Sequence, residues 1–231
     1  MNAAFIKESL QLLLPSGVSS EALAIDPTLW GNLTPVEQEL LANANSAKRK
    51  AEFATGRMAA RLALRKLPGR EIDDSPLLKG KRGEVVWPAG VIGSISHCQH
   101  FAIAAAAEHP QCEAIGIDIE CLKREVSDRV ADRFCSAEDK AWIEEAPPGG
   151  ESQRRLVLFS AKESAFKRIA GSSQGRVNTL IDISLEPLLA ELPRFVFKAT
   201  TIIPSGTPSG AGSRVSVNSL ISAEHIVSCA V

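Results

Sequence analysis

The chain has 231 residues, 45% of them hydrophobic and 23% charged, with a formal net charge of −1. That is apolar material for one large core or two small ones, and a balance so near neutral gives no global field for nucleic acid or a membrane surface. Any anion site must therefore be local.

The opening stretch, MNAAFIKESLQLLL, is interrupted by Lys7, Glu8 and Gln11, unlike the unbroken apolar segment of a signal peptide. The longest apolar run, Phe101 to Ala107, is far too short to span a bilayer. A cytoplasmic protein is expected. Cys98, Cys112, Cys121, Cys135 and Cys229 are odd in number and form no C-x-x-C pair, which fits reduced thiols. His97 and Cys98 are neighbours on a predicted strand and point to opposite faces, which disfavours a zinc set with His100 and Cys112.

Thr34-Pro35-Val36-Glu37 is a capping box with proline at the first helical position, opening a short helix to about Ala44. A longer helix over 46–67 repeats Ala51, Ala54, Met58 and Leu62 at helical spacing and stops at Pro68-Gly69. Its Lys50, Arg57 and Arg61 form one stripe, which reads equally as a solvated face or a phosphate clamp. Short runs at 84–87, 91–96, 100–107 and 112–119 are predicted antiparallel strands. Helices are expected over 127–134 and 136–146, the second from a capping box at Ser136 to Asp139. Pro147-Pro148-Gly149-Gly150 then breaks the chain. A long helix over 151–170 turns Leu156, Phe159, Phe166 and Ile169 inward and ends at Gly171. Strand-like runs at 176–184, 194–200, 214–217 and 225–231 close the chain.

A long helix followed by strands thus occurs twice. Setting Ser94 to Phe101 over Ser219 to Ile226 aligns Ser94 with Ser219 and His100 with His225. The expected fold is α+β, a pseudo-twofold arrangement of two similar halves, 1–112 and 113–231, each a small antiparallel sheet packed on a long helix. Clefts between halves are common ligand sites, so the active site is expected at the seam.

The densest chemistry is Gly116-Ile117-Asp118-Ile119-Glu120. Residues two apart on a strand share a face, so Asp118 and Glu120 offer two hard oxygen donors together, as Mg²⁺ favours, and Gly116 admits a close backbone approach. Alone, the motif fits a solvent-facing edge strand at least as well. Weight comes from Phe159-Ser160-Ala161-Lys162-Glu163-Ser164-Ala165-Phe166-Lys167 on the second long helix. Glu163 and Lys167, one turn apart, make an ordinary ion pair. They also belong to the mixture of acids and ammoniums that a metal, a diphosphate and an attacking hydroxyl require.

With these residues in hand, the sequence resembles the 4′-phosphopantetheinyl transferases of the two-half type, which activate siderophore, peptide and polyketide synthetases. The resemblance rests on Arg49-Lys50-Ala51-Glu52-Phe53-Ala54-Thr55-Gly56-Arg57, on Trp87 to His97, and on the two acidic blocks above, covering about 46–170. The first two blocks are most similar to the branch containing the enterobactin synthase component that loads phosphopantetheine. Residues after Gly171 contribute little.

The resemblance implies coenzyme A as co-substrate and Mg²⁺ on its diphosphate. It assigns Asp118, Glu120 and Glu163 to the metal, and Lys162 and Lys167 to the phosphates and pantetheine side, with Glu163, Lys162 and Lys167 as the catalytic set. Arg57, Ser96 and His97 match phosphate-binding positions, while Arg49, Lys79 and Arg82 are looser matches. Many relatives have Trp where this chain has Phe159, which keeps apolar bulk and loses an indole N–H. Glu138, twenty residues after Asp118, has a sufficient structural reason in its capping box and is left outside the site. The implied partners are apo acyl, peptidyl or aryl carrier proteins. Without heptads or an apolar face, a monomer is expected. Two other readings stay open: a magnesium-dependent pyrophosphohydrolase cutting coenzyme A with water, and a catalytically idle module docking on carrier proteins.

Overall fold

Two antiparallel sheets, each backed by its own long helix, dominate the computed structural model, which describes residues 3–69, 75–81, 83–171, 177–201, 214–222 and 224–231. The fold class is α+β. The chain forms two units, Met1–Ile115 and Gly116–Val231. Among the described residues no helix is long and apolar enough to cross a membrane.

The first unit contains α1 (Ala3–Leu13), β1 (Ser19–Ala24), a 3-10 turn (Pro27–Asn32), α2 (Pro35–Glu39), α3 (Ala47–Leu64), β2 (Val91–His97) and β3 (Phe101–Glu108). Its sheet runs β1-β3-β2, antiparallel throughout. Ser46 and Thr34 cap α3 and α2 as their side chains predict, Thr34 in a full capping box with Glu37. β3 lies in the middle and is buried on both faces, which suits its run of alanines. Ala59, Ala60 and Ala63 of α3 pack against Ala104 and Ala106 of β3, so methyl meets methyl and the helix lies close on the sheet. The buried face of α3 is therefore turned onto these alanines, while Met58 and Leu62 from the expected apolar stripe are only half-buried.

Two elements here were not read from the sequence. Ile6, Leu10 and Leu13 give α1 a buried stripe at helical spacing, in the same stretch whose Lys7, Glu8 and Gln11 set it apart from a leader. β1 has no β-branched or aromatic residue, and it becomes a strand because β3 offers its free edge, pairing Ser19 with Ala106 through Ala24 with Phe101. Conversely, the strand expected at 84–87 is a single bridge between Lys79 and Val85. Pro88, with no N–H, ends that ladder at once.

The second unit contains β4 (Gly116–Cys121), α4 (Asp128–Ala131), α5 (Ala137–Glu144), α6 (Glu151–Gly171), a 3-10 turn (Leu180–Asp182), β5 (Ile183–Glu191), β6 (Arg194–Thr201), β7 (Arg214–Ile221) and β8 (His225–Ala230). The sheet order is β4-β8-β7-β6-β5, all antiparallel, with α6 across β4, β8 and β7. The core under α6 includes Phe134, Leu156, Ile169, Phe195 and Phe197, and Trp142 meets Phe195 and Phe197 edge-on. The strand expected at 176–184 begins only at Ile183, because the Asp182 carboxylate takes the backbone N–H groups of Asn178 and Thr179 and makes a turn. Arg176 lies outside the described residues. The aligned segments around Ser94 and Ser219 are each a hairpin, β2–β3 in one unit and β7–β8 in the other.

Gly116 fixes how near α6 approaches β4. A Cβ there would collide with the backbone carbonyl of Ser164 and lie 2.6 Å from the backbone nitrogen of Arg168, both on α6. Backbone cannot move aside as a flexible side chain can. Gly116→Val is expected to destabilise the protein by about 3 kcal/mol or more, as measured by chemical denaturation.

Candidate active site

β4 is buried along its whole length, including its acids: Asp118 is 4% and Glu120 7% exposed. A solvent-facing edge strand would leave them open, and Ile117 and Ile119 fill the opposite face at 0%. α6 supplies the rest. The Lys167 ammonium donates to Asp118 Oδ1 at 2.8 Å and to the Ile117 carbonyl at 3.1 Å, and lies 3.8 Å from Glu163 Oε2. Arg124, just beyond β4, donates to Glu120 Oε1 and lies over the Phe159 ring, 4.5 Å from its centroid.

The electrostatics of this cluster are uneven. Burial raises the Glu120 carboxyl to about 7, helped by the Asp118 charge and opposed by Arg124 and Lys167. Burial also raises Glu163, with Lys167 and Arg124 opposing and Asp118 adding. Among the described residues, two cations, Lys167 and Arg124, act on these three carboxylates, which if all ionised outnumber them by one. Hard oxygen donors with a charge deficit suit a divalent cation, and Asp118, Glu120 and Glu163 fit magnesium on that ground.

Lys162 does not join this cluster, against the expectation that it meets phosphates. It is 0% exposed, and its ammonium donates to Asp139 Oδ2 at 2.5 Å and to the Phe134 carbonyl at 2.7 Å. The rotation of about 100° between adjacent residues 162 and 163 carries one side chain into the α4–α5 joint and leaves the other beside Lys167. Asp139, which also accepts the Ser136 N–H in the α5 capping box, is the acid that holds it. Glu138 is at the surface, bonded to the Ser136 hydroxyl.

In the first unit, Arg49 and His97 come together: Arg49 Nη1 donates to His97 Nε2 at 2.9 Å, and Glu52 Oε2 lies 3.9 Å from both Arg49 Nη1 and His97 Nδ1. Ser96, on the other face of β2, is buried. Arg57 is buried and stacked on Phe53, with 4.4 Å from guanidinium to ring centroid. The cationic stripe is not a solvated face. Arg61 is bound to Glu37 at 2.6 Å, and Lys50 lies over Trp30. Arg82 lies outside the described residues, and Lys79 forms the bridge to Val85.

A profile of the 4′-phosphopantetheinyl transferase N-terminal domain matches residues 36–107, and one of the 4′-phosphopantetheinyl transferase superfamily matches 114–204. The chain is 30% identical over 207 residues to the 4′-phosphopantetheinyl transferase Npt of Nocardia iowensis, covering 87% of this chain and 88% of that protein. It is 35% identical over 136 residues to the 4′-phosphopantetheinyl transferase PptT of Mycobacterium tuberculosis, 58% of each chain. It is also 40% identical over 126 residues to enterobactin synthase component D of Escherichia coli K12, 52% of this chain and 54% of that one. The chain belongs to the 4′-phosphopantetheinyl transferase superfamily.

For a 4′-phosphopantetheinyl transferase, the acids on β4 and the Glu163–Lys167 turn of α6 are the resembled motifs standing side by side. Arg124, Asp139 and Glu37 are partners of site residues, bonded to Glu120, Lys162 and Arg61, and no sequence motif marks those pairings. Arg124 follows Glu120 by four, a spacing that signals contact only on a helix, and here β4 ends between them. Phe159 keeps the aromatic contacts of its position, edge-on to Phe134 at 5.2 Å and beneath Arg124.

Proposed function

We propose that this enzyme transfers the 4′-phosphopantetheine arm of coenzyme A to a serine of an apo acyl, peptidyl or aryl carrier protein, with magnesium, releasing adenosine 3′,5′-bisphosphate. The observation that carries the reading is the β4–α6 cluster, in which the acids Asp118, Glu120 and Glu163 stand around Lys167 and Arg124. Asp118, Glu120 and Glu163 would hold the metal, which supplies charge neutralisation on the diphosphate. The serine Oγ attacks the β-phosphorus in line, its proton passes to a Glu163 carboxylate oxygen, and the bond to the bridging diphosphate oxygen breaks. Glu163 is assigned this base role because it stands one turn from Lys167 on α6, beside Asp118. Lys167 offsets charge on the departing oxygen. Arg49, Arg57, Ser96 and His97 are assigned to the coenzyme's phosphates, with Arg82 as a looser candidate, and Lys162 to holding α6.

The reading includes a pseudo-twofold pair of like halves sharing one coenzyme at their seam, supported by a helix-on-sheet unit and a matching hairpin in each. Weaker coenzyme binding in both Arg57→Gln and Asp118→Asn would be its signature, and an effect confined to one of them would remove it. A cytoplasmic monomer serving siderophore, nonribosomal peptide, fatty-acid or polyketide carriers completes the proposal.

Mass spectrometry of an apo-carrier incubated with enzyme, coenzyme A and magnesium is expected to show one added phosphopantetheine arm, lost on chelation. Free phosphopantetheine with an unmodified carrier would instead mark the pyrophosphohydrolase.

The acids also set a pH dependence. Glu120 sits at about 7 rather than its ordinary 4.5, so a proton competes with magnesium at neutral pH. Magnesium affinity is expected to rise about fivefold from pH 6 to 7 and to level off by pH 8, approaching tenfold per pH unit only well below that value. Without metal the sign for stability is opposite: the folded state holds a proton that the unfolded chain has released, so stability falls as pH rises from 4.5 through about 7. Calorimetry with and without magnesium checks both.

A further inference from the structure

The first unit buries a carboxylate that the transfer chemistry does not use. Glu37 closes the α2 capping box, its Oε2 accepting the Thr34 N–H at 3.0 Å, and it is 0% exposed. A cap needs only a surface glutamate. This one also accepts from Arg61 Nη2 at 2.6 Å through the same oxygen and from the Leu77 N–H at 3.0 Å through Oε1. Burial alone would raise the Glu37 carboxyl, but the bonds from Arg61, Leu77 and Thr34 outweigh it and hold the group below its ordinary value. It is a carboxylate.

One helical turn before Arg61 stands Arg57, only 6% exposed. Two guanidinium groups buried a turn apart repel each other, and both are incompletely satisfied: Arg57 Nε and Arg61 Nη1 are buried with no hydrogen-bond partner among the described residues. Burial pushes the Arg57 guanidinium down to about 10, with the Glu37 charge opposing and the Arg61 charge adding. Arg61 thus bonds the carboxylate directly, Arg57 senses only its charge, and both keep buried donors for a further acceptor.

We propose that Glu37 is the resident counter-ion of the Arg57–Arg61 pair, a positioning residue that keeps the empty unit folded and, by its negative charge, lowers the affinity for coenzyme A. The inference rests on the reading that Arg57 receives a coenzyme phosphate. An arriving phosphate brings a second negative charge beside the carboxylate, so the two anions compete for the same cations. Removing the carboxylate charge without changing its shape therefore strengthens coenzyme binding and weakens the empty fold. A residue with a merely structural role would lose stability and leave binding unchanged or worse.

Glutamine has the shape of glutamate and can close a capping box through its one oxygen, so Glu37→Gln removes the charge together with one of the two acceptors, that for Leu77 N–H or that for Thr34 and Arg61. Calorimetric titration of the full chain with coenzyme A, beside thermal unfolding without ligand, is the test. The expected result is a lower melting temperature with a Kd reduced on the order of tenfold, and with kcat moved far less than KM. Arg61→Gln, which leaves the carboxylate opposed by one arginine fewer, is expected to raise Kd on the order of tenfold, and the Glu37→Gln/Arg61→Gln double variant to return near wild type. If Glu37→Gln does not fold, the Arg61→Gln and double variants decide. An unchanged or raised Kd in Glu37→Gln, or an unchanged Kd in Arg61→Gln, overturns the proposal while Arg57→Gln still weakens binding. An Arg57→Gln variant with unchanged Kd removes the phosphate assignment itself, and the proposal with it.

Discussion

Asp118→Ala is expected to lower phosphopantetheine transfer on the order of a thousandfold while the protein stays folded. Asp118 is the common neighbour of the cluster. It accepts from Lys167 at 2.8 Å, and its charge is one cause of the raised carboxyls of both Glu120 and Glu163. Without it, Lys167 loses its 2.8 Å acceptor, while Glu163 stands 3.8 Å away on α6, so the lysine that offsets departing charge is no longer held in place. Removing one of three crowded carboxylates also relieves repulsion, which is why the fold should survive. Transfer of labelled coenzyme to an apo-carrier measures the rate, and circular dichroism with thermal unfolding measures the fold. Asp118→Asn separates charge from shape and should be nearly as slow. Wild-type transfer in the alanine variant would remove Asp118 from the site.

The second large effect is on stability. Lys162→Met leaves Asp139 buried and unpaired, and removing one member of such a pair is expected to cost about 3–5 kcal/mol in chemical denaturation. The Lys162→Met/Asp139→Leu double variant is expected to recover most of that loss, since a buried ion pair exchanged for apolar groups is often neutral. Kinetics distinguish a tie from a phosphate contact. For a tie, the double variant regains kcat and keeps its KM for coenzyme A near wild type. A KM raised alike in the single and double variants would return Lys162 to the phosphates.

What could be read from the sequence follows how far each interaction reaches along the chain. Capping boxes span three residues, strand alternation two and a helical turn four, so the Thr34 and Ser136 caps, the paired acids of β4 and the Glu163–Lys167 turn were all legible. Lys162 shares that motif, but its destination depends on which face of α6 meets the α4–α5 joint, a packing fact 23 residues away. Likewise the Glu37 cap was visible, while its bond to Arg61, 24 residues on, was not. The β4 motif was as compatible with a wet edge strand as with a buried one. Its burial is decided by α6 lying over it, and Gly116 was the residue that hinted at this.

The alanine-on-alanine contact between α3 and β3 has a consequence for how this sequence can vary. Methyl groups leave no smaller side chain but glycine and no slack for a larger one, so the interface can neither shrink nor grow by ordinary replacement. α3 also carries Arg49, Arg57 and Arg61, and lifting it by the width of one methylene would move all three as a rigid body. A saturation-mutagenesis screen for carrier activation should therefore find Ala59, Ala60, Ala63, Ala104 and Ala106 as intolerant as the charged positions, giving chemically inert residues the mutational profile of a catalytic site.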